Sequence, residues 1–380
     1  MHWLLLLALS LSMLALTWVG FPLLLWLRAR SASPIEPASP PHTWPRLSVI
    51  LIAHNEQPAI DRKLRNVLAF DYPADRLQVV LTCDGSRDGT EAAARAIDDP
   101  RVHVLVFPER RGKAACLNDA VAAADGEVLL FCDVRQRIEA NAARLLVARL
   151  MQPNVGVVSG ELVFETDGVK GFGETVDTYW RYEKLVRELE SASGSVIGVS
   201  GALYVMRRAY YTPIPPQTLL DDVLIPMRRA MLGERVLFEP GALAWDRPSA
   251  ELEHESRRKV RTLAGNFQLL ALEPRLLSPV ANPLFLRFVG HKLLRLTGPV
   301  WLVLALIAHL MLARHSSLWA LLLMPHLGAW AVGFLSPHIP QLKRLPLAGL
   351  ITGFAQMQVC IVRGFIDILR HPAQDLWKTR

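Results

Sequence analysis

The sequence predicts an α/β domain, a parallel sheet with helices on both faces, held between apolar helices at the two ends of the chain. Three observations lead there. Short apolar runs rich in β-branched residues alternate with helical stretches through the middle of the chain. A charge-free apolar run opens the sequence, with Arg28 and Arg30 directly after it. Three more apolar stretches of near-spanning length lie beyond residue 280.

Trp3 to Leu27 is long enough to cross a bilayer, since about twenty apolar residues suffice. A cleaved leader would have a shorter apolar region, positive charge before it and small residues after it. Residues 1–30 are therefore expected to anchor the chain, and the basic flank is expected to leave the domain after it on the cytoplasmic side of an inner membrane. Residues 31–46, SASPIEPASPPHTWPR, form a proline-stiffened linker.

Strands are expected at LSVILIA (47–53), LQVVLTC (77–83), VHVLVF (102–107) and EVLLFC (127–132). Helices are expected at Pro58 to Phe70, Asp88 to Ile97 and Lys113 to Ala124. In such alternation the ligand site lies at the carboxyl ends of the strands. Those ends read AHNE (53–56), CDGSRDGT (83–90), ERRGKAACLND (109–119) and CDVRQ (132–136). A turn and a helix cap account for Ser86, Asp88 and Thr90. They leave Asp84 unexplained. Carboxylates, an amide and a Gly-Lys pair gather along one sheet edge, suited to a base and ribose through Asp84 and Glu56. Lys113, with a cation held by Asp133, would balance phosphate charge. No GxGxxG comes after the first strand and no GxxxxGK[ST] occurs, which excludes a dinucleotide fold and a P-loop.

The 380 residues carry a formal charge of +7 and are 51% hydrophobic, a balance that suits an anionic membrane surface and anionic substrates. No basic block with interleaved aromatics marks a nucleic-acid surface. Cys83, Cys116, Cys132 and Cys360 show no zinc-ligand spacing and read as small core residues in a reducing compartment.

Residues 45–270 resemble the family-2 inverting glycosyltransferases. The likeness rests on AHNE, CDGSRDGT, RRGKAACLND and CDVRQ, then VSGALYVMRR (199–208) and LLDDVLIPMRRAMLGERVLFEP (219–240), in that order. With its flanking apolar spans the chain looks like the membrane-bound exopolysaccharide synthases, the cellulose synthase and poly-N-acetylglucosamine synthase group. The resemblance implies a GT-A fold, a Rossmann-like mixed sheet over residues 47–280, with an interfacial helix and a transmembrane region at 281–380. It implies transfer, with inversion, from a cytosolic UDP-sugar to a growing polysaccharide. The alternatives are a single addition to a lipid or polyprenyl-phosphate acceptor, or a nucleotide-sugar-binding subunit without catalysis. Partners would be the donor, a glycan or lipid-linked acceptor, the bilayer, and polysaccharide-export or accessory subunits.

Residue by residue, Asn55, Glu56 and Asp84 would line the donor pocket. Asp133 matches the first position of the family's DxD motif, and Arg135 stands at the second. Either Arg135 touches diphosphate, or Asp133 holds Mg²⁺ or Mn²⁺ with phosphate oxygens and water. Asp221 and Asp222 match the Glu-Asp base motif, with Asp222 as base and Asp221 positioning or capping, or the two exchanged. Ser200 and Gly201 would let an acceptor ring approach the backbone, while Arg207 and Arg208 lie near phosphate or headgroups or are solvated. Arg258 and Arg261 fall where processive relatives carry QxxRW; the Gln and Trp are missing, and the arginines serve diphosphate or an interfacial helix. Trp180 and Tyr182, within Glu174 to Ser191, resemble the YW-containing helix of the same synthases or simply pack. Asn282 to Arg295 is amphipathic, and the last apolar stretch, Leu347 to Val362, re-enters, lies along the interface or spans.

Overall fold

The computed structural model describes residues 1–33, 36–165, 173–247 and 252–371. Its centre is an eight-stranded sheet: β1 Leu47–Ala53, β2 Leu77–Asp84, β3 Val102–Phe107, β4 Val128–Cys132, β5 Arg137–Ile138, β6 Val155–Phe164, β7 Leu203–Arg207 and β8 Arg235–Asp246, in the order β3-β2-β1-β4-β7-β6-β8-β5. The first four in that order run parallel, and β7 runs antiparallel to both β4 and β6. The sheet is therefore mixed. A parallel neighbour needs a long crossover, whereas reversing β7 places its first residue at the same edge as the end of β4. Cys132 pairs with Leu203, so Asp133 and Gly201 leave the sheet side by side.

Alternation along the strands builds two cores. Leu47, Val49, Leu51 and Ala53 of β1 face one apolar layer with the helices Gln57–Leu68 and Ala142–Leu150, while Ile50 faces the other with Lys113–Ala123 and Asp221–Ala230. Both faces being covered explains why the strands read as continuous apolar runs. Cys83, Cys116, Cys132 and Cys360 are all buried and unpaired.

One expected helix is shorter. It spans Thr90–Arg95 rather than Asp88 to Ile97, because Asp88 stays outside it: its carboxylate accepts the Thr90 N–H at 3.0 Å and the Gln57 N–H at 3.1 Å. The amphipathic stretch 282–295 is helical from Phe285: Phe285–Phe288, a π-turn at Val289–Leu293 and Leu294–Leu296 follow one another without a break, and the run then bends by 56° into Gly298–Ala313. Among the described residues three helices are long and apolar enough to cross a membrane, His2–Ser31, Ser317–Leu335 and Ala348–Arg370, with the bent pair as a fourth candidate.

The last of these three runs eight residues beyond Val362 and lies on the helix Leu252–Leu272. Gly364 makes that approach possible, since a Cβ there would stand 2.8 Å from the Ala264 nitrogen and 3.0 Å from the Val260 carbonyl. Gly364→Val forces the two helices apart. Overpacking of this kind costs about 1–3 kcal/mol, expected as a lower thermal midpoint of the detergent-solubilised protein.

Candidate active site

The edge of the sheet at the ends of β1, β2 and β4 and the start of β7 collects the polar side chains. At the end of β1, Asn55 takes a left-handed φ of 55°, which lets its N–H reach Ser86 Oγ at 3.1 Å and its Oδ1 accept the Arg87 N–H at 2.9 Å. The Glu56 N–H donates to Thr90 Oγ1 at 2.8 Å, so the loops after β1 and β2 are laced together. His54 Nδ1 lies 2.6 Å from the Asp84 carbonyl, which can only accept, so the proton sits on Nδ1. Burial raises the Glu56 carboxyl above its ordinary range against the pull of Arg135.

Asp84 is 3% exposed, and both its oxygens are engaged. Oδ1 accepts the Arg111 N–H at 2.6 Å and Oδ2 the Gly112 N–H at 2.9 Å. The carboxylate thus fixes the loop that delivers Lys113. Gly85, at φ +61°, has to be glycine, because a Cβ would sit 2.5 Å from the Arg110 nitrogen.

Lys113 opens its helix directly after Gly112, and its ammonium stands 3.2 Å from Asp133 Oδ1 and 3.4 Å from Asp221 Oδ2. Burial opposes its charge, but Asp133, Asp221 and Asp222 outweigh that and hold it above the ordinary lysine range. Asp221 begins the helix Asp221–Ala230 and is buried, whereas the Asp133 side chain is 44% exposed. Asp222 points elsewhere, as adjacent helical residues do. It lies beside Gly201, whose added Cβ would be 3.4 Å from Asp222 Oδ2, and no described residue donates a hydrogen bond to its carboxylate. Burial first, and then Asp221, push its pKa up to about 6 against Lys113.

Ser200 donates its N–H to Ser159 Oγ at 2.9 Å, behind Gly201. Arg258 and Arg261 are half-buried on the helix Leu252–Leu272, with Arg261 in the electrostatic field of Asp133, Asp221 and Asp222. Burial, then Arg258, lower the Arg261 guanidinium from its usual value. Asn55, Glu56, Asp84, Lys113, Asp133, Ser200, Gly201, Asp221, Asp222 and Arg261 thus converge on one edge.

Arg135 is engaged by another partner, and the Arg207–Arg208 pair lies away from this edge, as its solvated reading expects. Arg135 reaches along the sheet to Asp246 Oδ2, at 2.5 Å, which Gln136 also contacts. Arg207 pairs with Val128 at the opposite end of β4, and the Arg208 N–H bonds the Glu127 carbonyl. Both arginines sit at the far edge because β7 is reversed. Tyr182 donates its hydroxyl to the Trp18 carbonyl at 3.2 Å in the N-terminal helix, and the side chain of Trp180 lies outside the described residues.

The sequence alone does not single out Tyr204. It stacks on Phe131 at 4.5 Å, lines the pocket floor beside Lys113, Asp133 and Asp221, and its buried hydroxyl has no partner among the described residues. The signal that could have found it is a tyrosine inside an apolar strand, where a hydroxyl must find something to bond.

No three His, Cys, Asp or Glu side chains among the described residues form a metal cage. Asp133, half-exposed at a strand tip with Asp221 across Lys113, does fit a hard cation that takes one or two carboxylates and completes its shell with phosphate oxygens and water.

The mixed sheet with this polar edge has the architecture of the GT-A glycosyltransferases. Residues 48–212 match the model described as "Glycosyl transferase family 2", and residues 131–334 match "Glycosyl transferase family group 2". The chain belongs to the family-2 glycosyltransferases. It is similar to an N-acetylglucosaminyltransferase of Rhizobium meliloti (strain 1021), 25% identical over 83% of this chain and 77% of that one. It is also similar to the poly-beta-1,6-N-acetyl-D-glucosamine synthase of Staphylococcus aureus (strain COL), 22% identical over 59% of this chain, which spans just over half (55%) of that relative. In fold it matches the mannosyltransferase PcManGT of Pyrobaculum calidifontis, solved with GDP-Man and Mn2+, at 24% identity and a TM-score of 0.73 over 96% of this chain and 99% of that one.

Asp84→Asn replaces one acceptor oxygen with an amide that faces a backbone N–H. The loss of a charge-assisted bond is expected to cost about 2 kcal/mol and to expose the loop 108–112 to proteolysis.

Proposed function

We propose that the protein is a membrane glycosyltransferase that moves a sugar from a cytosolic UDP-sugar, with inversion, onto a growing glycan. The observation that carries this reading is the convergence of Lys113, Asp133, Asp221 and Asp222, from three separate elements, at the edge where β4 meets β7. The names of the two bacterial relatives favour N-acetylglucosamine as the sugar and an exopolysaccharide as the product. The basic flank of the first helix favours a multi-pass inner-membrane protein with residues 47–280 facing the cytoplasm.

In this reading the loop pinned by Asp84, together with Asn55 and Glu56, forms the nucleoside side of the pocket. Lys113 and Arg261, with Arg258 behind, neutralise the diphosphate. Asp133 would hold Mg²⁺ or Mn²⁺ together with phosphate oxygens and water, and the ion when bound would supply Lewis-acid stabilisation of the departing diphosphate. Asp222 forms no ion pair with Lys113 and lies against the glycine-lined wall of Ser200 and Gly201, where the acceptor ring lies. Its carboxylate accepts the proton of the attacking hydroxyl. The hydroxyl oxygen bonds to the anomeric carbon from the face opposite the leaving group, and the bonding pair of the C–O(phosphate) bond departs with UDP. Asp221, tied to Lys113, is a positioning residue.

A pKa raised by burial is what a carboxylate needs to act as a base near neutrality. Asp222 works only when ionised, so kcat/KM is expected to fall about tenfold per pH unit below about 6 and to level off above it. An acid limb elsewhere argues against Asp222 as the base. Asp222→Asn is expected to lower kcat by about 10²–10⁴ with UDP affinity little changed, measured with labelled donor and a separate UDP titration. Full transfer by the variant would remove the assignment. A screen of labelled UDP-sugars with product sizing decides the donor and whether a polymer forms; no transfer from any donor refutes the function.

A further inference from the structure

Tyr204 is a buried group at the site that the transfer above does not use. It stands in β7 opposite Phe131, two residues below Asp133 on the neighbouring strand, and its ring stacks on Phe131 with centroids 4.5 Å apart and planes 10° apart. The residue is 1% exposed, and with Lys113, Asp133, Gly201 and Asp221 it lines one pocket. Its hydroxyl has no hydrogen-bond partner among the described residues. The neighbouring phenol makes the contrast: Tyr211 also lies over Phe131, at 6.1 Å, and spends its hydroxyl on Asn118 Oδ1 at 2.7 Å. A buried hydroxyl left unpaired in a packed interior is uncommon and calls for a reason. Burial, and then the charge of Asp221, hold this phenol well above the ordinary tyrosine range, so it stays protonated and can donate.

The same pocket contains an acceptor with a single tie. Asp221 is 4% exposed, and its one ion pair among the described residues is with Lys113, 3.4 Å from Oδ2. Lys113 is already shared with Asp133, at 3.2 Å. In the transfer Lys113 turns to the diphosphate, and Asp133 serves the cation. Asp133 can bear this, because its side chain is 44% exposed and water reaches it. Asp221 cannot, since a buried carboxylate that loses its partner is costly. The loaded pocket would then hold one donor without an acceptor and one acceptor short of a donor. A single hydrogen bond meets both needs.

Resting on the transferase reading above, we propose that Tyr204 is a positioning residue: when Lys113 engages the diphosphate, the Tyr204 hydroxyl donates to the Asp221 carboxylate, directly or across one water. That bond holds the first turn of the helix Asp221–Ala230, and Asp222 with it, while the acceptor hydroxyl is deprotonated. Tyr204 itself neither takes nor gives up a proton, and the covalent bonds made and broken are those of the transfer.

The test is a binding measurement independent of turnover. Full-length protein in phosphatidylcholine nanodiscs is titrated calorimetrically with UDP in the presence of Mn²⁺, as the unsubstituted chain, Tyr204→Phe, Asp221→Ala and the double variant. Tyr204→Phe is expected to bind UDP about tenfold more weakly, a difference typical of one charge-assisted hydrogen bond. In the Asp221→Ala background the same substitution is expected to change nothing, because the hydroxyl acts through Asp221. Without nucleotide, the thermal midpoint of Tyr204→Phe should equal or exceed that of the unsubstituted protein, since the lost hydroxyl had no partner; with UDP and Mn²⁺ it should fall below. Equal UDP binding by Tyr204→Phe and the unsubstituted protein, or a midpoint lowered without nucleotide, overturns the role. A tenfold loss that persists in the Asp221→Ala background makes the hydroxyl a direct ligand contact and overturns the route through Asp221. Loss of UDP binding in Asp221→Ala itself places Asp221 on the cation, with the same consequence. UDP bound by neither Tyr204→Phe nor the unsubstituted protein sinks the transferase reading and this role together, whereas equal binding by both sinks this role alone.

Discussion

Lys113 is the constraint on which the site depends. Asp133, Asp221 and Asp222 come from two elements almost ninety residues apart in sequence, and two like charges about 4 Å apart repel by about 4 kcal/mol at the effective dielectric of a protein surface. Only a cation between them lets the end of β4 and the start of the helix Asp221–Ala230 share one pocket. The ammonium that fills this role is itself placed by Asp84, whose two oxygens hold the amides of Arg111 and Gly112. The chain of cause runs from a buried carboxylate, through a pinned loop, to a lysine, and from the lysine to two of the acids. Asp222 lies outside that clamp, which leaves it raised towards neutrality and open on the acceptor side.

The reversal of β7 is the second condition. A parallel strand beside β4 would have brought Arg207 to this edge and carried Gly201 to the other. With the antiparallel pairing, the smallest residue of the segment faces the base, and the arginines sit at the far end, beside Glu127 and the Leu150 carbonyl.

Much of this was legible in the sequence, for a physical reason. Strands buried on both faces announce themselves as apolar runs, and the polar residues that stop them have to lie at their tips, so Asp84 and Asp133 could be placed without coordinates. Their partners could not. Asp84 bonds backbone amides, which every residue but proline carries and no motif reveals. Arg135 stands two residues from Asp133 but points along the sheet to Asp246, whose position depends on how β8 pairs with its neighbours. The direction of β7 leaves no trace in an apolar run of five residues.

The apolar C-terminal helix and the catalytic acids are joined through one intermediate, the helix Leu252–Leu272. On one side Gly265 of that helix meets Leu219 and Leu220, where an added Cβ would stand 2.6 Å from Leu220 Cγ, and Leu220 immediately precedes Asp221. Gln268 tightens the same contact, accepting the Leu219 N–H at 2.9 Å and donating to the Gln217 carbonyl at 2.8 Å. On the other side Gly364 lets the helix Ala348–Arg370 lie directly on Val260 and Ala264. Packed interiors transmit displacement instead of absorbing it. A helix suited to lipid is therefore in mechanical register with the acids, and Arg261 rides on the element between them. In such an arrangement a displacement of the apolar helix bears on the geometry of the site.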